Sequence, residues 1–244
     1  MIPSLLLGSL LSVLIITPSD RNPELYYISS APTTVGGYAI RARDLNAPEV
    51  DAASAVFGRA AEAFRKKDFE QVLRLLETPG LAGSPDPEVL NLHGAVLTEL
   101  KRYDEAVVFF RRVLEKKPDH FWARFNLAEV DFMAGRYAAA RNGFQAMKTG
   151  IPPENELLDF KTVLAWLKEN NRDEAQKVLE EMPSPGRTAA GYAARSAFAF
   201  HGGDKTKARE YLAESERKFP GQLGGFLGAT LADFGMTKEA LSGK

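Results

Sequence analysis

The sequence predicts an all-α fold of about five helix-turn-helix hairpins, stacked as a right-handed α-solenoid over residues 51–235 with a C-terminal capping helix. Three observations predict it. Two consecutive blocks, whose equivalent residues lie 34 positions apart, align almost without a gap over residues 87–152. Apolar residues recur with the helical period of about 3.6 from Asp51 onward. The content of 45% hydrophobic and 26% charged residues is that of a chain able to form a packed core.

The two aligned blocks share five residue types in the same order. A small residue comes first and is followed by a tyrosine, an alanine, a phenylalanine and a proline that ends the second helix. Each pair lies 34 residues apart. The pairs are Gly94 and Ala128, Tyr103 and Tyr137, Ala106 and Ala140, Phe110 and Phe144, and Pro118 and Pro152.

This pattern resembles the tetratricopeptide repeat, a helix-turn-helix unit of about 34 residues, and the chain is similar to bacterial exported members of that family. The resemblance implies a scaffold for protein binding rather than a particular reaction. It also implies that stability comes from neighbouring hairpins, because a single hairpin cannot cover its own apolar face.

Residues 1–19 contain an uncharged apolar run from Leu5 to Ile16. A run of about 12 residues is typical of a signal peptide and is short of the roughly 20 that span a membrane. We expect an export signal or a short membrane anchor; the alternatives are a start assigned too far downstream and a helix packed on the fold. The predicted location is exported, periplasmic or membrane-anchored, with the cytoplasm as runner-up. Residues 20–50 are predicted to be a linker, with room for a short β-hairpin.

The helical pattern continues in phase from the linker to the C-terminal segment. The alanine of the second helix recurs as Ala106, Ala140, Ala175 and Ala208, and Pro220 follows the last hairpin as Pro118 follows the second. Val72 stands one repeat before Ala106, so the first hairpin is a degenerate repeat. The predicted hairpins are 51–80, 87–118, 120–150, 154–183 and 187–219, followed by a capping helix at 222–234 and a tail at 236–244.

The small residues have a packing role in this prediction, because two closely crossing helices leave no room for a branched side chain. We expect Gly94, Ala128 and Ser196 to face Ala106, Ala140 and Ala208, while the tyrosine and phenylalanine rings fill the space between hairpins. The fourth hairpin departs from the pattern, with Thr162 or Val163 at the small position, and we expect it to pack more loosely.

Composition argues against several kinds of chemistry. The chain has 31 Lys and Arg against 32 Asp and Glu, which removes the usual electrostatic argument for nucleic-acid binding. It has no cysteine, and its three histidines, His93, His120 and His201, are not spaced as metal ligands. No nucleophile elbow or phosphate-binding loop is present. We therefore predict no enzyme activity, no cofactor and no metal.

The resemblance implies that the first helix of each hairpin lines a concave groove. In this register the groove is predicted to offer aromatic and adaptable side chains, of the kind that anchor a partner helix or an extended peptide. We expect a protein or peptide partner; the alternatives are a homo-oligomerisation module, a chaperone-like accessory of envelope assembly, or a small hydrolase. The predicted groove residues are Trp122, Phe125, Asn126, Glu129, Phe132, Met133, Phe160 and Lys161.

Overall fold

The computed structural model describes residues 48–148 and 154–242. Within these ranges the chain forms helices and turns, with no strand, which confirms the predicted all-α class. The predicted export segment, the linker up to residue 47 and Pro152 lie outside the described residues. The described chain divides into two compact units, 48–136 and 137–242.

The first unit contains two helical hairpins and one further helix. The α3 helix begins where Asp86 accepts a hydrogen bond from the Glu88 amide at 2.8 Å, with Pro87 at the first helical position. The helices are α1 (Pro48–Arg65), α2 (Phe69–Leu76), α3 (Pro87–Glu99), α4 (Tyr103–Lys116) and α5 (Phe121–Met133).

The second unit contains two hairpins and three additional helices. Asn171 and Asp204 accept hydrogen bonds from amides of the first helical turn at α8 and α10. The helices are α6 (Tyr137–Gln145), α7 (Glu154–Lys168), α8 (Arg172–Glu181), α9 (Ala189–His201), α10 (Lys205–Lys218), α11 (Phe226–Asp233) and α12 (Lys238–Ser242). The helix α12 lies within the segment predicted as a tail.

The turns inside the five helix pairs share one geometry. In each, one residue has a left-handed backbone, and the amide of the next residue donates to the carbonyl five positions back at 2.8–3.0 Å. These residues recur every 33 to 35 positions, in phase with the repeat alanines. They are Lys67 (φ 62°), Lys101 (φ 60°), Gly135 (φ 76°), Asn170 (φ 57°) and Gly203 (φ 84°).

The repeat residues occupy the core as predicted, with one correction to their contacts. All four repeat alanines are fully buried, as are Phe110 and Phe144, whereas Tyr103 and Tyr137 are half-buried. A Cβ on Gly94 would lie 2.6 Å from Phe110 Cε1, so Gly94 makes room for Phe110 of its own hairpin. Phe110 also belongs to a cluster with Val130 of α5. The ring therefore packs within the hairpin as well as beyond it.

The contact predicted for Ser196 is confirmed, since its hydroxyl donates to the Ala208 carbonyl at 2.8 Å. The predicted looser packing of the fourth hairpin stays a prediction. Val163 and Leu164 are fully buried and Thr162 is also buried. The α7 helix packs against α6, α8 and α9 inside the second unit, and these neighbours cover its branched side chains.

One buried carboxylate connects α7 to the start of α9. Glu156 accepts hydrogen bonds from the Arg187 amide at 2.8 Å and from the Thr188 amide at 2.9 Å. The Thr188 hydroxyl also donates to it at 2.7 Å. These groups precede the first turn of α9, where backbone donors have no partner within the helix. Glu156 therefore positions the fifth hairpin on the fourth.

The predicted capping helix is interrupted near its start. Gln222–Gly224 form a short 3₁₀ turn, and α11 begins at Phe226. A Cβ on Gly228 would meet the Leu223 carbonyl oxygen at 2.0 Å, so this glycine permits the close approach of the turn. Gly224 and Gly228 belong to different elements and do not share one helical face.

Candidate functional site

Two buried asparagines link α3 to α5 in the first unit. The Asn126 Nδ2 group donates to Asn91 Oδ1 at 3.1 Å, across 35 residues of sequence. Both side chains are almost completely buried. Within the described residues, Asn91 Nδ2 and Asn126 Oδ1 have no hydrogen-bond partner. Each asparagine thus has one buried amide atom that no described residue pairs.

A histidine and a glutamate extend this polar contact toward the start of α5. His120 caps α5, with its Nδ1 atom accepting from the Ala123 amide at 3.1 Å. In the neutral ring the proton is therefore on Nε2. The Nε2 atom lies 3.8 Å from Glu88 Oε1, and Glu88 Oε2 has no partner among the described residues. We call Glu88, Asn91, His120 and Asn126 the polar row.

The predicted groove residues of α5 differ in their exposure. Trp122 and Met133 are partly exposed, and the Trp122 ring stands edge-on to Phe121 and Phe125, with ring centres 4.9 and 5.7 Å apart. Phe125 is fully buried and Phe132 nearly so. Asn126 and Glu129 are also buried, although both are polar. The expected exposed aromatic surface is wrong for Phe125 and Phe132, because these rings form core.

The two predicted groove residues of the second unit are also buried. Phe160 and Lys161 on α7 have no exposed side-chain surface. The Lys161 ammonium lies 5.5 Å from the centre of the Phe226 ring of α11. An exposed role for Phe160 is therefore wrong as well, since the helices packed on α7 cover it.

The remaining histidine of the first unit has a packing role. The His93 ring stacks on Phe109, with centres 4.0 Å apart. Burial lowers the pKa of His93, and the positive charges of Arg102 and Arg112 act in the same direction. In the part of the chain that the structure describes, no group of three His, Asp or Glu side chains is placed to hold a metal ion.

Sequence reasoning found Asn126 but not its partners. Neither Asn91 nor Glu88 is among the predicted groove residues. The available signal was the spacing of 35 between Asn91 and Asn126, because residues one repeat apart occupy equivalent positions on successive first helices.

Comparison with known proteins agrees with the repeat geometry. Residues 97–149 match the family model described as tetratricopeptide repeat. Residues 97–149 of this chain are therefore tetratricopeptide repeats. The repeat match covers α4, α5 and α6, where the sequence periodicity is also strongest.

Solved structures of tetratricopeptide repeat proteins have a similar fold. A repeat protein from Parabacteroides merdae superposes with a TM-score of 0.58 at 19% identity, covering 73% of this chain and 71% of that one. The protein TTC0263 of Thermus thermophilus gives 0.57 at 16% identity, covering 76% and 100%. MamA from Desulfovibrio magneticus, from residue 41 to its end, gives 0.50 at 21% identity, covering 70% and 98%. No curated protein is similar enough in sequence to count as a relative.

Proposed function

We propose that this tetratricopeptide repeat protein is a non-enzymatic scaffold that binds an extended segment of a partner protein at the polar row. The observation that carries the proposal is the Asn91–Asn126 pair, which retains a buried amide donor and a buried amide acceptor. An unsatisfied buried polar atom costs about 1–3 kcal/mol, and a partner group from another molecule would remove that cost. A peptide backbone carries one N–H and one C=O per residue and matches both.

Side chains at the two ends of α5 give this site apolar contacts. Trp122 precedes Asn126 by one helical turn, and Met133 lies two turns beyond it. Both are partly exposed. A Trp ring offers a large apolar area, and a Met side chain adapts to irregular partners. The site therefore combines backbone recognition with two apolar anchor positions.

The histidine of the polar row supports a binding role rather than proton transfer. His120 Nδ1 accepts from the Ala123 amide, and Nε2 faces Glu88. Both ring nitrogens are thus directed at groups of the chain itself. A general base would need one nitrogen directed at a substrate proton.

Site-specific photocrosslinking in cells tests the proposal. A photoreactive amino acid at Met133 should capture a discrete partner, whereas the same group at Val108, which is 54% exposed on α4, should not. The captured segment is then prepared as a peptide. It should bind the parent protein at least roughly tenfold more tightly than the Asn126→Ala variant, a difference of about 1.4 kcal/mol in binding free energy. The matched control is Asn142→Ala, which changes an exposed asparagine on α6.

Two outcomes would contradict the proposal. Equal capture from Met133 and Val108 would mean that the polar row does not select the partner. Unchanged peptide affinity in a folded Asn126→Ala protein, confirmed by circular dichroism, would remove the asparagine pair from recognition.

We also propose that the protein is exported or tethered to a membrane through residues 1–19. The uncharged apolar run from Leu5 to Ile16 supports this. Among the helices of the described residues, none has the length and apolar character needed to cross a membrane. N-terminal sequencing of the mature protein tests export, and an intact Met1 in the soluble cytoplasmic fraction would contradict it.

A further inference from the structure

A cavity of about 340 Å³ lies between α8, α9 and α10 in the second unit, separate from the polar row. Its volume is within the range of about 300–1,000 Å³ that is usual for small-molecule sites. Three cationic side chains line it, together with one carboxylate and two aromatic rings. They are Arg172, Arg195, Lys207, Asp204, Phe198 and Tyr211.

The first cation is held in place by neutral groups. The Arg172 guanidinium lies 3.7 Å from the centre of the Phe198 ring and donates to the Phe198 carbonyl at 2.6 Å. A Cβ on Gly202 would come within 2.6 Å of Arg172 Nη2, so the glycine leaves space for the guanidinium. Among the described residues no carboxylate pairs with Arg172, and its positive charge stays uncompensated.

The second cation, Arg195, is more deeply buried and also donates its hydrogen bonds to backbone carbonyls. Arg195 donates to the carbonyls of Gly191, Leu179 and Met182 at 3.2–3.5 Å. Its side chain has no ion pair within the described part of the chain. Arg195 is buried, and this burial lowers its pKa. A desolvated guanidinium without an anion attracts one strongly, because little solvation remains to be lost.

The other charges at the cavity do not neutralise this pair. Lys207 is paired with Glu210 at 3.0 Å and lies 5.4 Å from the centre of the Tyr211 ring. Asp204 is the only carboxylate among the described lining residues, and it accepts from the Lys207 amide as the cap of α10. With Lys207 compensated by Glu210, two arginines stand against the Asp204 carboxylate, which leaves the cavity with a net positive charge.

We propose that this cavity binds a small organic acid, with its carboxylate against Arg172 and Arg195 and its apolar body against Phe198 and Tyr211. A guanidinium offers planar donors that match the two oxygens of a carboxylate. The aromatic walls select acids that carry an apolar group over small inorganic anions. The cavity is a second site, and its occupation does not depend on peptide binding at the polar row.

The test uses the full chain and 3-phenylpropionate as the probe. Isothermal titration should give a dissociation constant of about 1 mM or lower, as expected for a ligand of this size. The neutral analogue 3-phenylpropanamide should bind at least roughly tenfold more weakly, because it lacks the charge that the guanidinium groups recognise. Backbone NMR shifts on adding the acid should centre on Phe198, Asp204 and Tyr211.

Matched variants separate the cavity from nonspecific charge. Arg172→Gln should weaken binding about tenfold, and Lys207→Gln about threefold, since Lys207 already has a carboxylate partner. Lys177→Gln is the control for Lys207→Gln, because Lys177 makes the same i,i+3 ion pair with Glu174 but does not line the cavity. It should leave the affinity unchanged. Thermal melting checks that each variant is folded. If Arg172→Gln does not fold, the affinity of Lys207→Gln decides the result.

Several results would overturn the proposal. Equal affinity for the acid and the amide would exclude charge recognition. Tighter binding of inorganic phosphate than of 3-phenylpropionate would exclude an organic acid as the preferred class. Equal losses of affinity in Lys207→Gln and Lys177→Gln would exclude this cavity as the binding site, and so would NMR shifts centred elsewhere.

Discussion

The ring of Phe110 lies against Gly94, so closely that a Cβ on the glycine would come within 2.6 Å of Cε1. Phe110 is fully buried and cannot move into solvent. We expect Gly94→Ala to lower the free energy of unfolding by roughly 1–3 kcal/mol, because an added methyl group overpacks the core. Gly58→Ala is the control, since Gly58 is also helical and a Cβ there meets nothing within 4 Å.

Chemical denaturation of both variants provides the measurement. The control should be stabilised by up to about 1 kcal/mol, because alanine favours the helix over glycine. Similar changes in the two variants would show that the Gly94–Phe110 contact adapts without cost.

Lys101 occupies a left-handed position in the turn between α3 and α4, where its φ is 60°. A side chain is strained in this region and glycine is not. Lys101→Gly should therefore raise the free energy of unfolding by roughly 0.5–1 kcal/mol. Arg111→Gly, in the middle of α4 and exposed, should lower it by about 1 kcal/mol. Urea unfolding measures both variants. A loss of stability in both would contradict backbone strain at Lys101.

Glu156 supplies a charged acceptor to three donors at the start of α9. Glu156→Gln keeps the shape of the side chain but replaces the carboxylate with an amide facing those donors. We expect the free energy of unfolding to fall by roughly 2–4 kcal/mol. Glu180→Gln changes an exposed glutamate on α8 and should stay within about 0.5 kcal/mol of the parent. Melting curves that are the same for both variants would show that Glu156 does not hold the hairpins together.

Stability should depend on the protonation of His93. Burial lowers the pKa of His93 below its usual value of 6.5, so the unfolded chain binds the proton more readily than the folded one. Its contribution to stability is therefore present above about pH 6.5 and is lost as the pH falls below that value. Between roughly pH 7.5 and pH 5.5, the free energy of unfolding should decline less in His93→Leu than in the parent. Equal declines would mean that His93 titrates normally.

Sedimentation velocity separates the scaffold from the self-assembly alternative. We expect a monomer whose sedimentation coefficient does not change with concentration, because the polar row is proposed to bind a different chain. A concentration-dependent dimer that Trp122→Ala abolishes would instead favour a homo-oligomerisation module. Met133→Ala is the comparison variant, as it changes the other partly exposed side chain of α5.

The helices of this protein could be predicted closely from sequence, because their signals are local. The recurring alanines, the capping residues before α8 and α10 and the glycines at two of the hairpin turns each act within a few residues. The left-handed residues at the other three turns, Lys67, Lys101 and Asn170, were detectable only from their spacing. Side-chain type alone does not favour lysine there.

Exposure on the first helices could not be predicted in the same way. A helical period shows which residues share a face, but the burial of that face depends on helices about 30 residues distant. Phe125 and Phe160 were predicted as groove residues for this reason, and both lie in the core. The Asn91–Asn126 pair and the cavity at Arg172 and Arg195 likewise join residues 23 to 35 positions apart.

By itself, the sequence determined the repeat length, the helical hairpins and the family to which they belong, since these follow from periodicity and short-range hydrogen bonding. The tertiary structure decided which polar groups were buried without partners and which cations were left without carboxylates. The physical reason is that desolvation and pairing depend on atoms brought together by packing. The polar row and the cavity are both properties of that packing.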